Sequence, residues 1–188
     1  GTIISGTLTI PSIHLKATLN QSVVSNPIYW PAQQFAQQFD GVFTLSQLHV
    51  SHKLSIKRLH FDNDLYFQLQ SNDLLPLPNF FSTHQLYYGD YWFKKALQIN
   101  IGLDARMIPE YKGPAFHPLY GAYQLSDTTL PFFPAANFFI TAQISAFRAM
   151  FVMENFSQYW IDDQNFDVVG HPQNDPVFRM CFQWLLKD

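Results

Sequence analysis

Residues 97–107, LQINIGLDARM, alternate without a break between apolar and polar side chains. Leu97, Ile99, Ile101, Leu103, Ala105 and Met107 fall on one side of an extended chain, and Gln98, Asn100, Gly102, Asp104 and Arg106 on the other. Successive Cβ atoms of a strand point to opposite faces of its sheet, so period two specifies a strand between two different environments. The same pattern marks residues 59–70: Leu59, Phe61, Leu65, Phe67 and Leu69 oppose His60, Asp62, Asp64, Tyr66, Gln68 and Gln70, with Asn63 an exception on the apolar side. Ile13, Leu15, Ala17 and Leu19 oppose His14, Lys16, Thr18 and Asn20, and Ala136, Phe138, Ile140, Ala142 and Ile144 oppose Asn137, Phe139, Thr141, Gln143 and Ser145. Soluble half-buried strands and lipid-facing barrel strands both read this way.

Strand length and connection length separate the two. Nine strands are expected, near 3–10, 13–24, 42–54, 59–70, 80–89, 95–108, 136–145, 148–157 and 177–187; those at 42, 80 and 148 alternate less cleanly and their faces stay unassigned. A tilted bilayer crossing takes about 9–11 residues, whereas globular strands are nearer 5 or 6. Short connections ("PS" at 11, "SIKR" at 55, "GDYWFK" at 89, "AF" at 146) alternate with long ones at 25–41, 71–79, 109–135 and 158–176. That puts all tight turns at one end of an up-and-down sheet and all loops at the other, as in a transmembrane β-barrel. The expected fold is therefore all-β: an antiparallel up-and-down transmembrane barrel.

Composition agrees. Only 13% of the 188 residues are charged while 47% are hydrophobic, about half the charge of an ordinary soluble domain. The net charge is −3 with scattered cations, which gives no electrostatic footprint for nucleic acid. No run of 18 apolar residues occurs, so a transmembrane helix is excluded. The opening GTIISGTLTI carries no signal-peptide pattern and reads as a mature form or an excised segment. Aromatics reach 17% and gather near predicted strand ends: Tyr29, Trp30, Phe80, Phe81, Tyr159 and Trp160 by the loops, Tyr87, Tyr88, Tyr91, Trp92, Phe147 and Trp184 by the turns. Two interfacial girdles would account for them.

Few residues point to chemistry. Asp62 and Asp64, with Asp104 near, could act as paired carboxylates, but pairing with Arg106, Arg148 or Arg179 in a polar lumen is the simpler reading. The seven histidines lack metal-ligand spacing, and Cys181 has no recognisable His partner in sequence. No enzyme activity, cofactor or metal is expected. The expected lumen lining is His14, Lys16, His60, Asp62, Asp64, Gln98, Asn100, Asp104, Arg106 and Arg179. The expected lipid-facing set is Leu65, Phe67, Leu97, Ile99, Ile101, Leu103, Phe138, Ile140, Phe182 and Trp184.

The segment VFRMCFQWLLKD alternates Phe178, Met180, Phe182, Trp184 and Leu186 against Arg179, Cys181, Gln183 and Lys187, and resembles the last strand of bacterial outer-membrane barrels, though Leu186-Lys187-Asp188 replaces their terminal aromatic. With SNPIYW, LHFDNDLYFQLQSNDLLPLPNFF, YYGDYWFKKALQINIGLDARMIPEYKGPAFHPLYGAYQL, FRAMFVMENF and NFDVVGHPQND, nearly the whole chain resembles the C-terminal part of the putative porin family of Bacteroidota outer membranes. The resemblance implies a bacterial outer-membrane location, with membrane lipid and the barrel assembly machinery as partners. Three functions compete: passive diffusion of small hydrophilic solutes, a non-conducting barrel subunit among other envelope proteins, and a soluble carbohydrate-binding β-sandwich. Counting strands back from a periplasmic C-terminus starts residues 3–10 outside the cell, so at least one further upstream strand is expected.

Overall fold

Each alternating run becomes a strand hydrogen-bonded to its neighbour in the sequence. The computed structural model describes residues 1–161 and 166–184; the stretch 162–165 of the last long loop, and the proposed continuation of the final strand through Leu186 and Lys187, lie outside the described residues. The strands are β1 (Thr2–Ile10), β2 (Leu15–Ser25), β3 (Val42–Ile56), β4 (Leu59–Gln70), β5 (Phe80–Trp92), β6 (Leu97–Met107), β7 (Ala135–Ile144), β8 (Phe147–Glu154) and β9 (Val177–Trp184). They form one nine-stranded antiparallel sheet in strict chain order, with β1 and β9 at its two edges. Three of the four long connections carry two-stranded ribbons among the described residues, including Ala115–His117 paired with Ala122–Gln124.

Tight turns close one end. Lys57 (φ 57°) and Ser145 (φ 51°) take the left-handed conformation that short hairpin connections favour. Three expected boundaries move for local reasons. Pro11 opens a 3₁₀ turn that His14 closes in the left-handed region, its N–H bonded to Pro11 O at 3.1 Å, so β2 begins at Leu15 and His14 belongs to the turn. Gly89–Trp92 continue β5, leaving 93–96 as the turn. Asn155 (φ 52°) ends β8 and starts a 3₁₀ turn at Phe156–Tyr159.

The register staggers the turns. Leu15 pairs with His52, four residues above the Ile56–Leu59 turn pair, and Leu59 pairs with Tyr88, four residues above the Trp92–Leu97 pair; the β7–β8 turn then stays level with the latter. Eight residues of stagger are about 26 Å, set against about 29 Å for six strand spacings. If the turns share one level, the strands tilt by about 40°, the inclination of closed barrels.

Cross-strand pairs share a face, so the register also assigns the strands that the sequence left open. One face carries Leu54, Phe61, Leu86, Leu103, Phe138, Met153 and Phe178 as a row over seven consecutive strands. Below it run Tyr88, Ile101, Ile140, Phe151 and Met180, and at the turn end Trp92, Leu97, Phe147 and Trp184. All ten residues expected to face lipid are on this apolar face, although Ile99, between Asp90 and Ala142, is only 8% exposed. Of the aromatic residues expected in girdles, Tyr88, Trp92, Phe147 and Trp184 lie on the apolar face, whereas the register turns Phe81, Tyr87 and Tyr91 to the opposite face. There Tyr66 stacks on both His49 and Phe81 at 4.3 Å, and Tyr87 stacks on His60 at 4.7 Å.

A single-layer sheet has no conventional core. The accessible surface is 12772 Å², whereas a compact chain of this mass exposes about 9,300 Å². Burial concentrates at the loop end, in Leu74, Leu130, Phe133 and Ala135, and within the sheet at Phe139. Gly102 makes one of these packings possible: a Cβ there would lie 2.4 Å from Leu86 O and 2.5 Å from Tyr87 Cβ, so only hydrogen lets the Tyr87 and Phe139 rings flank that position. Gly102→Val should lower the urea midpoint of the folded protein by the equivalent of about 1–3 kcal/mol. Gly6→Val, where a Cβ meets nothing within 4 Å, should not.

Candidate functional site

The face opposite the apolar rows gathers the charged residues of the nine strands apart from Asp90, which pairs with Ile99 on the apolar side. Lys53 stands directly across from Asp62, with Nζ 3.6 Å from the carboxylate, and His49 Nε2 lies 2.6 Å from Asp64 Oδ1. Asn137, opposite Asp104, donates Nδ2–H to its Oδ1 at 2.7 Å. On the diagonal between β8 and β9, Arg179 Nε donates to Glu154 Oε2 at 2.8 Å. Asn100 donates to Thr141 Oγ1 at 3.1 Å, and Arg148 to Gln143. Such pairs form because opposed side chains on one face of a sheet lie within reach of each other.

Lys53, Asp62, Asp64, Thr83, Gln85, Asp104 and Arg106 line one depression of about 310 Å³ on this face. The three aspartates expected to approach one another do share it, yet each meets its own strand neighbour, which leaves no pair sharing a proton. The expected partners were wrong in detail: Asp62 and Asp64 meet Lys53 and His49 rather than arginines, and Arg148 meets an amide. Of the expected lining set, Lys16, His60, Asp62, Asp64, Gln98, Asn100, Asp104, Arg106 and Arg179 are on the polar face, and His14 alone is displaced into the turn. Lys53, His49 and Asn137 were missed because β3 alternates poorly and because register decides which amide meets which acid.

Arg106 reaches past the strands. Its Nη2 donates to both oxygens of Asp167, at 2.8 and 2.9 Å, and Asp167 belongs to the loop after β8. The same loop is tied to β7 where Asn155 N–H donates to Asn137 Oδ1 at 2.8 Å and Ala136 N–H to Ser157 Oγ at 3.2 Å. It bridges in turn to the loop after β6, through Val169 N–H to Pro114 O at 2.8 Å, and that loop to the first through Leu125 N–H to Trp30 O at 2.9 Å. A second depression of about 600 Å³ opens within this layer, with Asp73, Glu110, Lys112 and Asp127 on its walls beside Tyr111. Burial raises the Tyr111 hydroxyl above its ordinary value; Asp167 adds to the shift and Arg106 opposes it.

The class is thus an all-β, up-and-down antiparallel sheet with one ion-paired face, one apolar face and a joined layer of loops at one end. The chain belongs to the putative porin family, whose model matches residues 2–188. No curated protein and no solved structure matches it.

Asp167 and Arg106 are each about half exposed, so their pair should contribute under about 1 kcal/mol to global stability. Its local effect should be larger: Arg106→Gln should speed protease cleavage within 155–176 several-fold while leaving the urea midpoint nearly unchanged.

Proposed function

We propose that this chain forms part of an outer-membrane β-barrel through which small hydrophilic solutes diffuse passively, its polar face lining a wet lumen and its apolar face meeting lipid. The observation that carries the reading is the row Leu54, Phe61, Leu86, Leu103, Phe138, Met153 and Phe178. Five of its members are exposed by 38–63%, an apolar band far longer than a soluble monomer leaves in water. A soluble sandwich would need a second sheet to cover it, and beside the nine-stranded sheet the described residues form only two-stranded ribbons. No catalysis is assigned to the polar face. Lipid and the assembly machinery that reads the alternating β9 are the proposed partners.

Both edges of the sheet need partners inside a bilayer, where an unpaired N–H or C=O finds no water. In a nine-stranded up-and-down sheet β1 and β9 run in the same direction, so antiparallel closure takes an odd number of additional strands, and we propose that further polypeptide supplies them. The polar face sets the Lys16, Lys53, Arg106, Arg148 and Arg179 cations against the Asp62, Asp64, Asp104, Glu154 and Asp167 carboxylates. Neither sign prevails, so size rather than charge should dominate selection. The loop anchored by Arg106 and Asp167 favours a second reading, a barrel closed by its own loops that serves as a scaffold in a larger envelope complex.

Planar-bilayer recordings on protein extracted from its membrane separate the two. Discrete conductance steps are expected, with Asp62→Lys plus Asp104→Lys moving the reversal potential in a salt gradient toward anions; silence at every voltage would favour the scaffold. Ile101 lies four residues above the turn pair at Leu97, about 10 Å along the membrane normal and near mid-bilayer. Ile101→Arg should therefore cost about 2–4 kcal/mol of folding stability in lipid, and Asn100→Arg far less. Equal costs in a denaturant titration would sink the assignment of faces.

A further inference from the structure

One row of the apolar face does not suit lipid. His52, Asn63, His84, Ala105 and Ala136 stand opposite one another across β3, β4, β5, β6 and β7. Large apolar residues bracket the row: Leu54, Phe61 and Leu86 on the turn side, Val50, Leu65 and Met107 on the loop side. His52 and Asn63 are four residues from the turn pair Ile56–Leu59, about 10 Å along the normal at the tilt derived above and near half-height of a band about 25 Å tall. This is the depth at which polar side chains are rarest and most often functional.

Internal bonds satisfy only part of the row. His84 Nδ1 lies 2.6 Å from Asn63 Oδ1, and His84 Nε2 3.0 Å from Oγ of Ser82, which is 2% exposed. Among the described residues, His52 has no side-chain hydrogen-bond partner and the Asn63 amide N–H groups have none. In hydrocarbon both would be left unmet. Ala105 and Ala136, continuing the row, are smaller than Leu103 and Phe138 beside them, so another surface could approach the backbone more closely there.

We propose that this row is the contact by which two copies of the chain associate within the membrane. The inference rests on the membrane reading above. A second copy is the occupant that the chemistry favours: the unmet groups are the His52 imidazole, which donates and accepts, and the Asn63 amide N–H groups, which donate. The same patch presented by a two-fold mate therefore supplies the missing partners, which is the self-complementarity that an isologous interface demands. A lipid tail supplies none of them, and a charged partner would find no counter-ion on this row.

The test is cysteine cross-linking in native membranes, with Cys181→Ser removing the exposed natural thiol. Under copper-phenanthroline oxidation, Asn63→Cys should give a band at twice the chain mass. Phe151→Cys, on the apolar face of β8, should not. Combining His52→Leu, Asn63→Leu and His84→Leu should shift the detergent-extracted protein from dimer to monomer in sedimentation, while heat-modifiable gel mobility reports an intact barrel. A wild-type protein that is monomeric in membranes, a cross-link only to a different polypeptide, equal cross-linking at Phe151→Cys, or a triple-leucine protein that remains dimeric would each overturn the proposal. Extraction of wild-type protein into buffer without detergent would overturn the membrane reading itself, a failure distinct from a detergent-requiring monomer.

Discussion

Everything in this chain depends on the ladder of a single-layer sheet. Its backbone groups are satisfied strand to strand, and its side chains must then alternate between two faces that no second sheet of the described residues covers. Without a packed core, register does the work that packing does elsewhere, because a slip of one residue would exchange the faces of a whole strand. The pairs that pin it are on the polar face: Thr7 with Thr18, Lys53 with Asp62, Asn137 with Asp104, and the Tyr87 ring beside Gly102. The hydrophilic face thus supplies most of the specific pairs, while the apolar face adds the His84–Asn63 bond.

That division explains what could be read from the sequence. The nine strands and the alternation of short and long connections were legible because period two and turn residues are local signals. His14 was not, since its parity matched β2 and only the 3₁₀ turn begun by Pro11 removed it. The faces of β3 and β5 were illegible for a different reason: Thr44, Ser46, His52, Ser82, His84 and Asp90 put polar groups on the apolar side, and only cross-strand pairing with β4 and β6 resolves the parity. Ion-pair partners were the least legible, because they depend on register between strands and, for Asp167, on a loop that folds back to β6. Asn63, the exception in the cleanest strand, proved to be one member of a row spanning five strands.

The excess of aromatic residues has two causes where girdles alone would give one. Trp92, Phe147 and Trp184 stand together at the turn end of the apolar face, where an amphipathic ring suits the boundary of a bilayer in the proposed barrel. The stack of His49, Tyr66 and Phe81, and Tyr87 over His60, lie instead on the polar face. Rings there stack on one another across neighbouring strands, so they add side-chain contacts to the surface that carries the ion pairs.

In the proposed barrel the strand charges are therefore poor candidates for setting selectivity. Opposite signs sit 2.8–3.6 Å apart in the Asp62 and Glu154 pairs, and such pairs would present dipoles rather than net charge to a passing solute. The loop layer differs. Arg106, near the loop end of β6, donates from its guanidinium to Asp167 and so ties the loop after β8 to β6. The depression of about 600 Å³ beside it carries Asp73, Glu110 and Asp127 against Lys112, an imbalance of sign that the strand wall lacks. In the proposed barrel a solute entering from that end would meet the acidic loop pocket before the paired wall, so discrimination by charge would belong to the loops and discrimination by size to the strands.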